Sequence, residues 1–299
     1  MVPGEPGQVL THRAGVVGAP VEHSLSPVLH RAAYAALGLT GWSYERFRIG
    51  GEGDLDLRTF VEDLGGDWVG LSVTMPNKEP ALELAVAATE QARRIGAANT
   101  LVRREDGWVA ANTDPDGIVE SLLEAGVGTV RRAVVLGSGA TARSALDALA
   151  RLGCREVRLA VRGEVRPPTA ALAARLGMTD GRGEPVTVRL GDPGAVSRAC
   201  AESAVVVSTL PAGSPLGAEA GFDPETDLTS IVLLDAVYAD WPTPLARWAG
   251  ACGARVVPGS EMLLHQAAAQ VELMTGRSAP VEAMRAALTE ALGSRLSCR

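Results

Sequence analysis

At 299 residues, the chain is too long for one ordinary hydrophobic core and fits one large domain or two medium-sized domains, of which two are favoured. Its 46% apolar and 21% charged residues indicate a globular protein and exclude an intrinsically disordered one. The 28 basic and 35 acidic residues give a net charge of -7, which provides no positive field for a phosphate backbone, so we expect no nucleic-acid partner.

The predicted elements begin near residue 10, where short β-rich runs alternate with alanine- and leucine-rich stretches of helical length. This pattern is typical of βα units around a largely parallel sheet, so the predicted fold class is α/β. Ser26 is expected to cap the first helix, with Pro27 at its first position and Gly38 after its end. In this half we predict strands at 13–18, 42–49 and 68–73, and helices at 26–38, 54–64, 81–86 and 89–95.

A second series of elements begins at "RRAVVLGSG", an apolar strand that runs into a glycine turn. The two series meet near residues 111–117, where a helix begins. The periodicity of the last two helices does not show which domain they pack on. After the glycine turn we predict strands at 156–161, 186–190, 204–209, 231–237 and 254–257, and helices at 140–153, 259–276 and 281–293.

The glycine turn has the spacing of a dinucleotide-binding loop. Gly137, Gly139 and Ala142 occupy the first, third and sixth positions of G-x-G-x-x-G/A, after an apolar strand and at the start of a helix. The glycines allow backbone amides to approach a pyrophosphate, and the small sixth residue allows the helix to approach the strand. A glycine turn without a ligand is the alternative.

The residues after the next strand favour NADP over NAD. "RLAVRGEVR" places Arg162 just past the strand and Arg166 four residues later, and guanidinium groups suit a 2′-phosphate. Glu164 lies between them and could instead bind a free ribose hydroxyl, so NAD use stays open.

Four polar turns in the first half point to a binding crevice. "GAPVEHSLSP", "SVTMPNK", "GAANT" and "ANTDPDG" are each expected to follow a strand, at the sheet edge where ligands bind in open α/β folds. Their hydroxyl and amide groups suit a small polyhydroxylated ligand. Lys78 and Asp114 would supply a proton donor and its charge partner, as reduction of a carbonyl requires, although a surface lysine and a helix cap are the ordinary alternatives.

These residues resemble the shikimate dehydrogenase family over nearly the whole chain. Seven motifs occur in the family's order: "GAPVEHSLSP", "LSVTMPNK", "GAANTL", "ANTDPDG", "LGSGATAR", "DAVYADWPTPL" and "EMLLHQAAAQVELMTG". The resemblance implies reduction of 3-dehydroshikimate to shikimate with NADPH, a step of chorismate and aromatic amino acid biosynthesis. It also implies a substrate domain and a Rossmann-like NADP-binding domain with a cleft between them.

Residue by residue, the resemblance implies that Lys78 and Asp114 are the catalytic pair, with Lys78 as proton donor. Ser24, Ser26 and Tyr238 would hold the substrate carboxylate, and Thr74, Asn99, Asp114 and Gln266 the ring hydroxyls. Cofactor contacts are expected from Gly137, Ser138, Gly139, Ala140, Ala142, Arg162, Arg166 and Gly259.

Gln266 lies on a C-terminal helix, which suggests that this helix returns to the substrate domain. We therefore predict a discontinuous substrate domain of residues 1–113 plus 258–299 and a cofactor domain of residues 114–257. The chain departs from the usual family pattern at Ser72, at "MPNK", at Val161 and at "VELMTG". The first two changes leave the proposed catalytic residues in place. Val161 removes a polar contact near the adenosine phosphate and keeps NAD use open, and the last two changes alter the expected pocket wall.

Metal and disulfide chemistry are not indicated. The cysteines form no C-x-x-C pair, and the histidines lack carboxylate or cysteine companions at ligand spacing, so we predict no metal and reduced thiols. The first ten residues carry no secretory signal and no later apolar stretch reaches membrane-spanning length, so we predict a cytoplasmic protein without membrane contact. The cysteines weighed as metal ligands or disulfide partners are Cys154, Cys200, Cys252 and Cys298, and the histidines weighed as metal ligands are His12, His30 and His265.

Three alternatives remain open from the sequence. Two are enzymes of the same type acting on quinate or on amino-shikimate. The third is a ligand-sensing module that has the fold without catalysis, although Lys78 and Asp114 argue against it. The expected partner is a small-molecule substrate, and a homodimer is left open.

Overall fold

The computed structural model of the protein describes residues 11–180, 182–217 and 220–297. The chain divides into two compact units. Unit 1 comprises Met1–Arg93, Ala97–Thr113 and Ala267–Arg299, and unit 2 comprises Arg94–Gly96 and Asp114–Gln266. Both units are therefore discontinuous in sequence.

Unit 1 is built on a six-stranded mixed sheet in the order β2-β1-β3-β5-β6-β4. Its strands are β1 (His12–Gly18), β2 (Trp42–Arg48), β3 (Trp68–Val73), β4 (Ala87–Ala88), β5 (Thr100–Arg104) and β6 (Gly107–Ala111). Its helices are α1 (Ser26–Ala36), α2 (Leu57–Glu62), α3 (Lys78–Leu84), the first part of α4 (Glu90–Ile95) and α11 (Val281–Ser297).

Two kinds of strand connection explain why this sheet is mixed. β1 is parallel to both β2 and β3, because helices α1 and α2 return the chain to the same edge before each new strand. β5 is antiparallel to β3, and β6 is antiparallel to β5, with only Glu105 and Asp106 between the paired ends Arg104 and Gly107. The carboxyl ends of β1 and β3 therefore lie at the same edge as the start of β5.

Unit 2 is built on a six-stranded sheet in which every strand pair is parallel. Its strands are β7 (Arg132–Leu136), β8 (Glu156–Val161), β9 (Val186–Arg189), β10 (Val205–Ser208), β11 (Val232–Asp235) and β12 (Arg255–Pro258). Its helices are α5 (Asp114–Glu124), α6 (Ala140–Arg151), α7 (Pro167–Arg175), α8 (Pro193–Ala201) and α9 (Pro244–Ala251). Helix α10 (Gly259–Thr275) begins in unit 2 and ends in unit 1.

The strand order of unit 2, β12-β11-β10-β7-β8-β9, is that of a dinucleotide-binding fold. If β7 is numbered as the first strand and the sheet is read from β9, the strand order is 3-2-1-4-5-6. Strands are added on one side of β7 up to β9, and from β10 onward they are added on its other side. The glycine turn after β7 is at this reversal point.

Burial on both faces explains the uninterrupted apolar run of β7. Ala133 and Val135 pack in one hydrophobic cluster, and Val134 and Leu136 pack in another. Successive side chains of a strand point to opposite faces, so both faces of the unit 2 sheet are covered. This is the arrangement that the α/β prediction requires, and that fold class is confirmed.

The sequence placed most of the described strands correctly, but it missed β4, β5 and β6 of unit 1 and misplaced one helix cap. The prediction that Ser26 caps α1 is wrong, because Leu25 precedes the helix and Ser26 is its first residue, with Pro27 second. The β5–β6 hairpin was not predicted, since its strands are short and partly polar. The predicted glycine after α1 is confirmed, because Gly38 has a φ of +67° that other residues rarely adopt.

Candidate functional site

Five of the predicted site residues lie on segments at one edge of the unit 1 sheet. Ser24 and Ser26 follow β1, while Thr74 and Lys78 follow β3. Asn99 directly precedes β5. The expectation that its turn follows a strand is wrong: the preceding element is helix α4. The antiparallel direction of β5 nevertheless brings Asn99 to the same edge, where its carbonyl accepts from the backbone N–H of Val73 across 2.7 Å.

The two serines form a linked pair with little exposure to solvent. Ser24 Oγ donates to Ser26 Oγ across 3.2 Å and accepts from the backbone N–H of Ser26 across 3.3 Å. Arg46 holds the turn from outside, because its Nη2 and Nε donate to the carbonyl oxygen of Ser24 across 2.6 and 2.9 Å. Two hydroxyl donors next to an arginine suit an anionic group such as a carboxylate.

The Asn99 amide is fixed by neighbouring threonines. Its Oδ1 accepts from Thr100 Oγ1 across 2.7 Å and from the backbone N–H of Thr113 across 2.8 Å. Its Nδ2 donates to Thr113 Oγ1 across 2.9 Å. The side chain is 2% exposed. These contacts determine which end of the amide is the donor.

Thr74 and Lys78 are held on one tight turn. The N–H of Thr74 donates to the carbonyl of Val17 across 2.9 Å, and Gly18 is required beside it because a Cβ at that position would clash with the Thr74 methyl group. Lys78 begins α3 and is half-buried. Asn77 closes the turn, since its Nδ2 donates to the carbonyl of Ile49 across 2.8 Å.

Lys78 is also the only lysine in the sequence, in which every other basic residue among the 28 counted is an arginine. An arginine stays protonated under all ordinary conditions, whereas a lysine ammonium can give up its proton. The single lysine therefore stands where the sequence predicts a proton donor.

The remaining substrate-site predictions fall in unit 2. Asp114 is the first residue of α5 and is 4% exposed. Gln266 on α10 is 7% exposed, and its Nε2 donates to the carbonyl of Leu263 across 2.9 Å. Tyr238 follows β11 and is half-buried.

The glycine turn of unit 2 has the geometry that a pyrophosphate site requires. Gly137 has a φ of +113°, and a Cβ there would collide with Thr209 Oγ1. Gly139 precedes α6, and the space around its Cα is open, with no atom within 4 Å of a built Cβ. Ala140 starts the helix and Ala142 is fully buried against the sheet. The open approach to the start of α6 fits a phosphate group.

The loop that is predicted to bind the 2′-phosphate lies beside this turn. β7 and β8 are adjacent and parallel, so Arg162 follows β8 at the edge where Gly137 follows β7. The backbone N–H of Arg166 donates to Ser138 Oγ across 2.7 Å, which ties the loop to the glycine turn. The hydroxyl of Ser138 is thus used in holding the loop. Both arginine side chains are exposed, as is Glu164.

Gly259 begins α10 directly after β12. A Cβ there would collide with the carbonyl oxygen of Ala236, which follows β11. The glycine is therefore required for the close approach of these two backbone segments, and it also lies at the carboxyl edge of the unit 2 sheet.

One group of potential metal ligands occurs among the described residues. Glu124, Glu261 and His265 place ligand atoms within 4.8 Å of one another, and His265 Nε2 lies 3.2 Å from Glu124 Oε2. The expectation that His265 lacks a carboxylate companion is wrong: Glu261 lies four residues earlier on α10, and the packing of α5 and α10 brings Glu124 near as well. A contact between a histidine and a carboxylate accounts for this geometry, and we assign no metal to it.

Three polar residues that the sequence analysis did not single out for the site are buried behind the edge of unit 1. They are Tyr44, Ser72 and Gln270, with exposures of 0%, 4% and 0%. Tyr44 was included only in a strand, Gln270 only in a helix, and Ser72 was noted only as a departure from the family pattern. A polar residue at a core-facing position was the signal available for each.

Comparison with known proteins assigns the chain to a family. Residues 16–101 match the shikimate dehydrogenase substrate binding domain, and residues 259–289 match the shikimate 5'-dehydrogenase C-terminal domain. The shikimate dehydrogenase (NADP(+)) of Moorella thermoacetica is 38% identical over 288 residues, which is 95% of each chain. This chain belongs to the shikimate dehydrogenase family.

Solved structures of the family have the same fold. The crystal structure of Mycobacterium tuberculosis shikimate dehydrogenase is 44% identical, with a TM-score of 0.81 and coverage of 93% of this chain and 99% of that one. The shikimate 5-dehydrogenase of Thermus thermophilus, in complex with NADP(H) and shikimate, is 31% identical, with a TM-score of 0.76 and coverage of 94% and 99%. Within the described ranges, no helix is long and apolar enough to cross a bilayer.

Proposed function

We propose that this shikimate dehydrogenase family member catalyses the reversible reduction of 3-dehydroshikimate to shikimate with NADPH, in the route to chorismate and the aromatic amino acids. The observation that carries the proposal is the position of Lys78. The only lysine of the chain lies at a sheet edge together with Ser24, Ser26, Thr74 and Asn99. This edge offers hydroxyl and amide groups for a polyhydroxylated acid and one group able to donate a proton.

The reaction adds one hydride and one proton to a carbonyl group. NADPH supplies the hydride, which goes to the C3 carbon, and the C3 oxygen takes up the proton to become a hydroxyl. Lys78 is the proposed donor of that proton, and Asp114 is the proposed carboxylate that orients and stabilises its ammonium group. In the reverse direction Lys78 accepts the proton as the hydride leaves.

The other polar residues bind and orient the substrate. We assign the carboxylate to Ser24, Ser26 and Tyr238, supported by the paired serine hydroxyls and the adjacent Arg46. We assign the ring hydroxyls to Thr74, Asn99, Asp114 and Gln266. Positioning of this kind brings reacting atoms to about 3–3.5 Å, which hydride transfer requires.

The cofactor contacts that we propose lie at the carboxyl edge of the unit 2 sheet. The pyrophosphate is held by backbone amides at the start of α6, and the exposed guanidinium groups of Arg162 and Arg166 bind the 2′-phosphate. Glu164 between them leaves some use of NAD open. The full proposed set is Gly137, Ser138, Gly139, Ala140, Ala142, Arg162, Arg166 and Gly259.

For the functional domains we propose residues 1–113 plus 258–299 for substrate and residues 114–257 for cofactor. The compact units differ from this division at residues 94–96 and 258–266, which group with unit 2. A homodimer and a cytoplasmic location belong to the same proposal. The buried free thiols of Cys154, Cys200 and Cys252 favour a reducing compartment, while Cys298 lies outside the described residues. Size-exclusion chromatography with light scattering tests the dimer.

The deciding experiment follows NADPH formation from NADP+ with shikimate as the substrate. Quinate and amino-shikimate are tested in parallel, and each substrate is offered with NADP+ and with NAD+. We expect the highest kcat/KM for shikimate with NADP+. A higher value for quinate or amino-shikimate would transfer the assignment to that substrate. Shikimate binding without turnover on any substrate would favour a ligand-sensing module.

A further inference from the structure

A buried hydrogen-bond network in unit 1 lies behind Asn99, one of the proposed substrate-binding residues. Tyr44 Oη lies 2.6 Å from Ser72 Oγ, and Ser72 Oγ lies 2.6 Å from Gln270 Oε1. Gln270 Nε2 lies 3.0 Å from the carbonyl oxygen of Asn99 and 2.9 Å from Thr100 Oγ1. Every contact is shorter than about 3.2 Å, the upper end of ordinary hydrogen-bond lengths.

The Asn99 carbonyl fixes the orientation of the Gln270 amide. A backbone carbonyl can only accept, so the atom facing it must be the amide nitrogen of Gln270, and the other end must be the oxygen. The oxygen is an acceptor, and the hydroxyl hydrogen of Ser72 is therefore directed to it. Ser72 then accepts from Tyr44, whose single hydrogen is used in this bond. The donors thus run in one direction from Tyr44 through Ser72 to Gln270.

The chain continues on the far side of Gln270. Gln270 donates to Thr100 Oγ1, so the Thr100 hydrogen is available for Asn99 Oδ1, 2.7 Å away. This leaves Nδ2 as the donor end of the Asn99 amide. A side branch at His30 obeys the same rule: its Nε2 lies 3.4 Å from Gln270 Oε1, which requires the hydrogen on Nε2.

We infer that Gln270 is a positioning residue that anchors the Asn99 carbonyl and the Thr100 hydroxyl beside the proposed substrate site, and that it forms one polarised chain with Tyr44 and Ser72 behind that site. The inference rests on the proposed function, since it assigns a task to residues that bind shikimate there. Only an amide fits the centre of this chain, because it must accept on one side and donate twice on the other. An apolar residue at position 270 would remove one buried hydrogen bond from each of Ser72, Asn99 and Thr100.

The test replaces Gln270 with glutamate, which keeps the shape and removes the donors. The carboxylate of Gln270→Glu would face the Asn99 carbonyl, an acceptor. We expect the KM for shikimate to rise about three- to tenfold or more, the range for one or two lost hydrogen bonds, while the KM for NADP+ stays within about twofold. Calorimetric titration with shikimate should show the same loss in affinity without relying on turnover.

A pH series distinguishes positioning from simple loss of structure. A protonated carboxyl group has one donor and one acceptor, so lowering the pH should partly restore the chain in Gln270→Glu. We expect the ratio of variant to wild-type KM for shikimate to fall as the pH decreases from about 8 to 6. The matched control is Gln91→Glu, which removes a 2.9 Å donation to the carbonyl of Asn112 and lies outside the chain. For this control, the ratio of variant to wild-type KM for shikimate should not change with pH.

Two further variants keep the inference testable if Gln270→Glu does not fold. Tyr44→Phe preserves ring packing and removes the donor to Ser72, and Tyr34→Phe removes a hydroxyl only from the His30 branch, where Oη lies 3.5 Å from Nδ1. Tyr44→Phe should weaken shikimate binding about threefold or more and Tyr34→Phe less than twofold. Equal effects of Tyr44→Phe and Tyr34→Phe on shikimate binding would overturn the inference. A variant to wild-type KM ratio for Gln270→Glu that does not change with pH would overturn it as well. Absence of shikimate turnover in the wild-type protein would instead reject the proposed function.

Discussion

Gly117 on α5 lies so close to Met262 on α10 that a Cβ at Gly117 would be 2.6 Å from the Met262 carbonyl oxygen. The same Cβ would be 3.0 Å from Cβ of Gln266. The two helices therefore pack backbone against backbone at this point. α5 begins with Asp114 and α10 carries Gln266, so the spacing of these helices affects both proposed substrate ligands.

We predict that Gly117→Ala separates α5 from α10. Overpacking of this kind costs about 1–3 kcal/mol of unfolding free energy, and the shift of Gln266 should also lower kcat/KM for shikimate. Denaturant unfolding and steady-state kinetics measure the two effects. Gly128→Ala is the matched control, because a Cβ there meets no atom within 4 Å, and it should change stability by less than about 0.5 kcal/mol. Equal stability of the two variants would contradict the packing argument.

Replacing Lys78 tests proton donation separately from charge. Lys78→Ala should lower kcat roughly a hundredfold or more, the usual range for loss of a general acid. Lys78→Arg keeps the positive charge but cannot readily release a proton, so its kcat should fall nearly as far. Steady-state kinetics with shikimate and NADP+ measures both. Near-normal turnover of Lys78→Arg would show that Lys78 acts only through its charge.

The single lysine also allows a direct measurement of its protonation. Reductive methylation with a ¹³C label should mark only the α-amino group and the Lys78 side chain, because the chain contains no other lysine. An NMR titration of the dimethyl-lysine signal then follows Lys78 alone. Shikimate bound at the proposed site should protect Lys78 from labelling, and an equal labelling rate with and without shikimate would argue against contact.

Replacing Arg162 tests whether its side chain binds the 2′-phosphate. Arg162→Ala should raise the KM for NADPH about tenfold or more while changing the KM for NADH less than about twofold, as expected for the loss of one charge-assisted contact of about 1.5–3 kcal/mol. Arg131→Ala is the control, because its side chain is 87% exposed and it precedes β7 at the opposite edge of the unit 2 sheet. Equal losses for both cofactors would mean that Arg162 does not bind this phosphate.

His30 makes unit 1 sensitive to acid. Burial lowers the pKa of His30 from its ordinary value of 6.5 to about 3, although its hydrogen bond with Gln270 opposes the shift. Below pH 6.5 the unfolded chain binds a proton that the folded chain does not, so stability falls as the pH decreases toward 3. The slope from this group is at most about 1.4 kcal/mol per pH unit.

Replacing His30 should remove this part of the acid response. In His30→Phe, which keeps an aromatic ring stacked on Tyr44, the unfolding free energy should fall less steeply between about pH 6.5 and 4 than in the wild type. Urea unfolding at a series of pH values measures the slope. An unchanged slope would show that His30 is protonated equally in both states.

The sequence by itself determined the fold class and the cofactor half of the protein. Its apolar runs, such as "AVVL" between Arg132 and Gly137, are local signals of strands buried on both faces, and the glycine spacing after β7 needs only a few consecutive residues to specify a turn. The motif containing Thr74 and Lys78 is equally local. Interactions between residues a few positions apart depend mainly on the local sequence, so they can be predicted from it.

The tertiary structure alone decided the contacts behind the substrate site. Gln270 is 198 residues from Ser72 and 171 from Asn99, and no pattern along the chain marks those pairs as neighbours. The antiparallel direction of β5 likewise brings Asn99 to the sheet edge, although the element directly before Asn99 is a helix and not a strand. Such pairs depend on how strands are ordered and how α10 returns to unit 1, which is set by burial of many side chains together and not by any one segment.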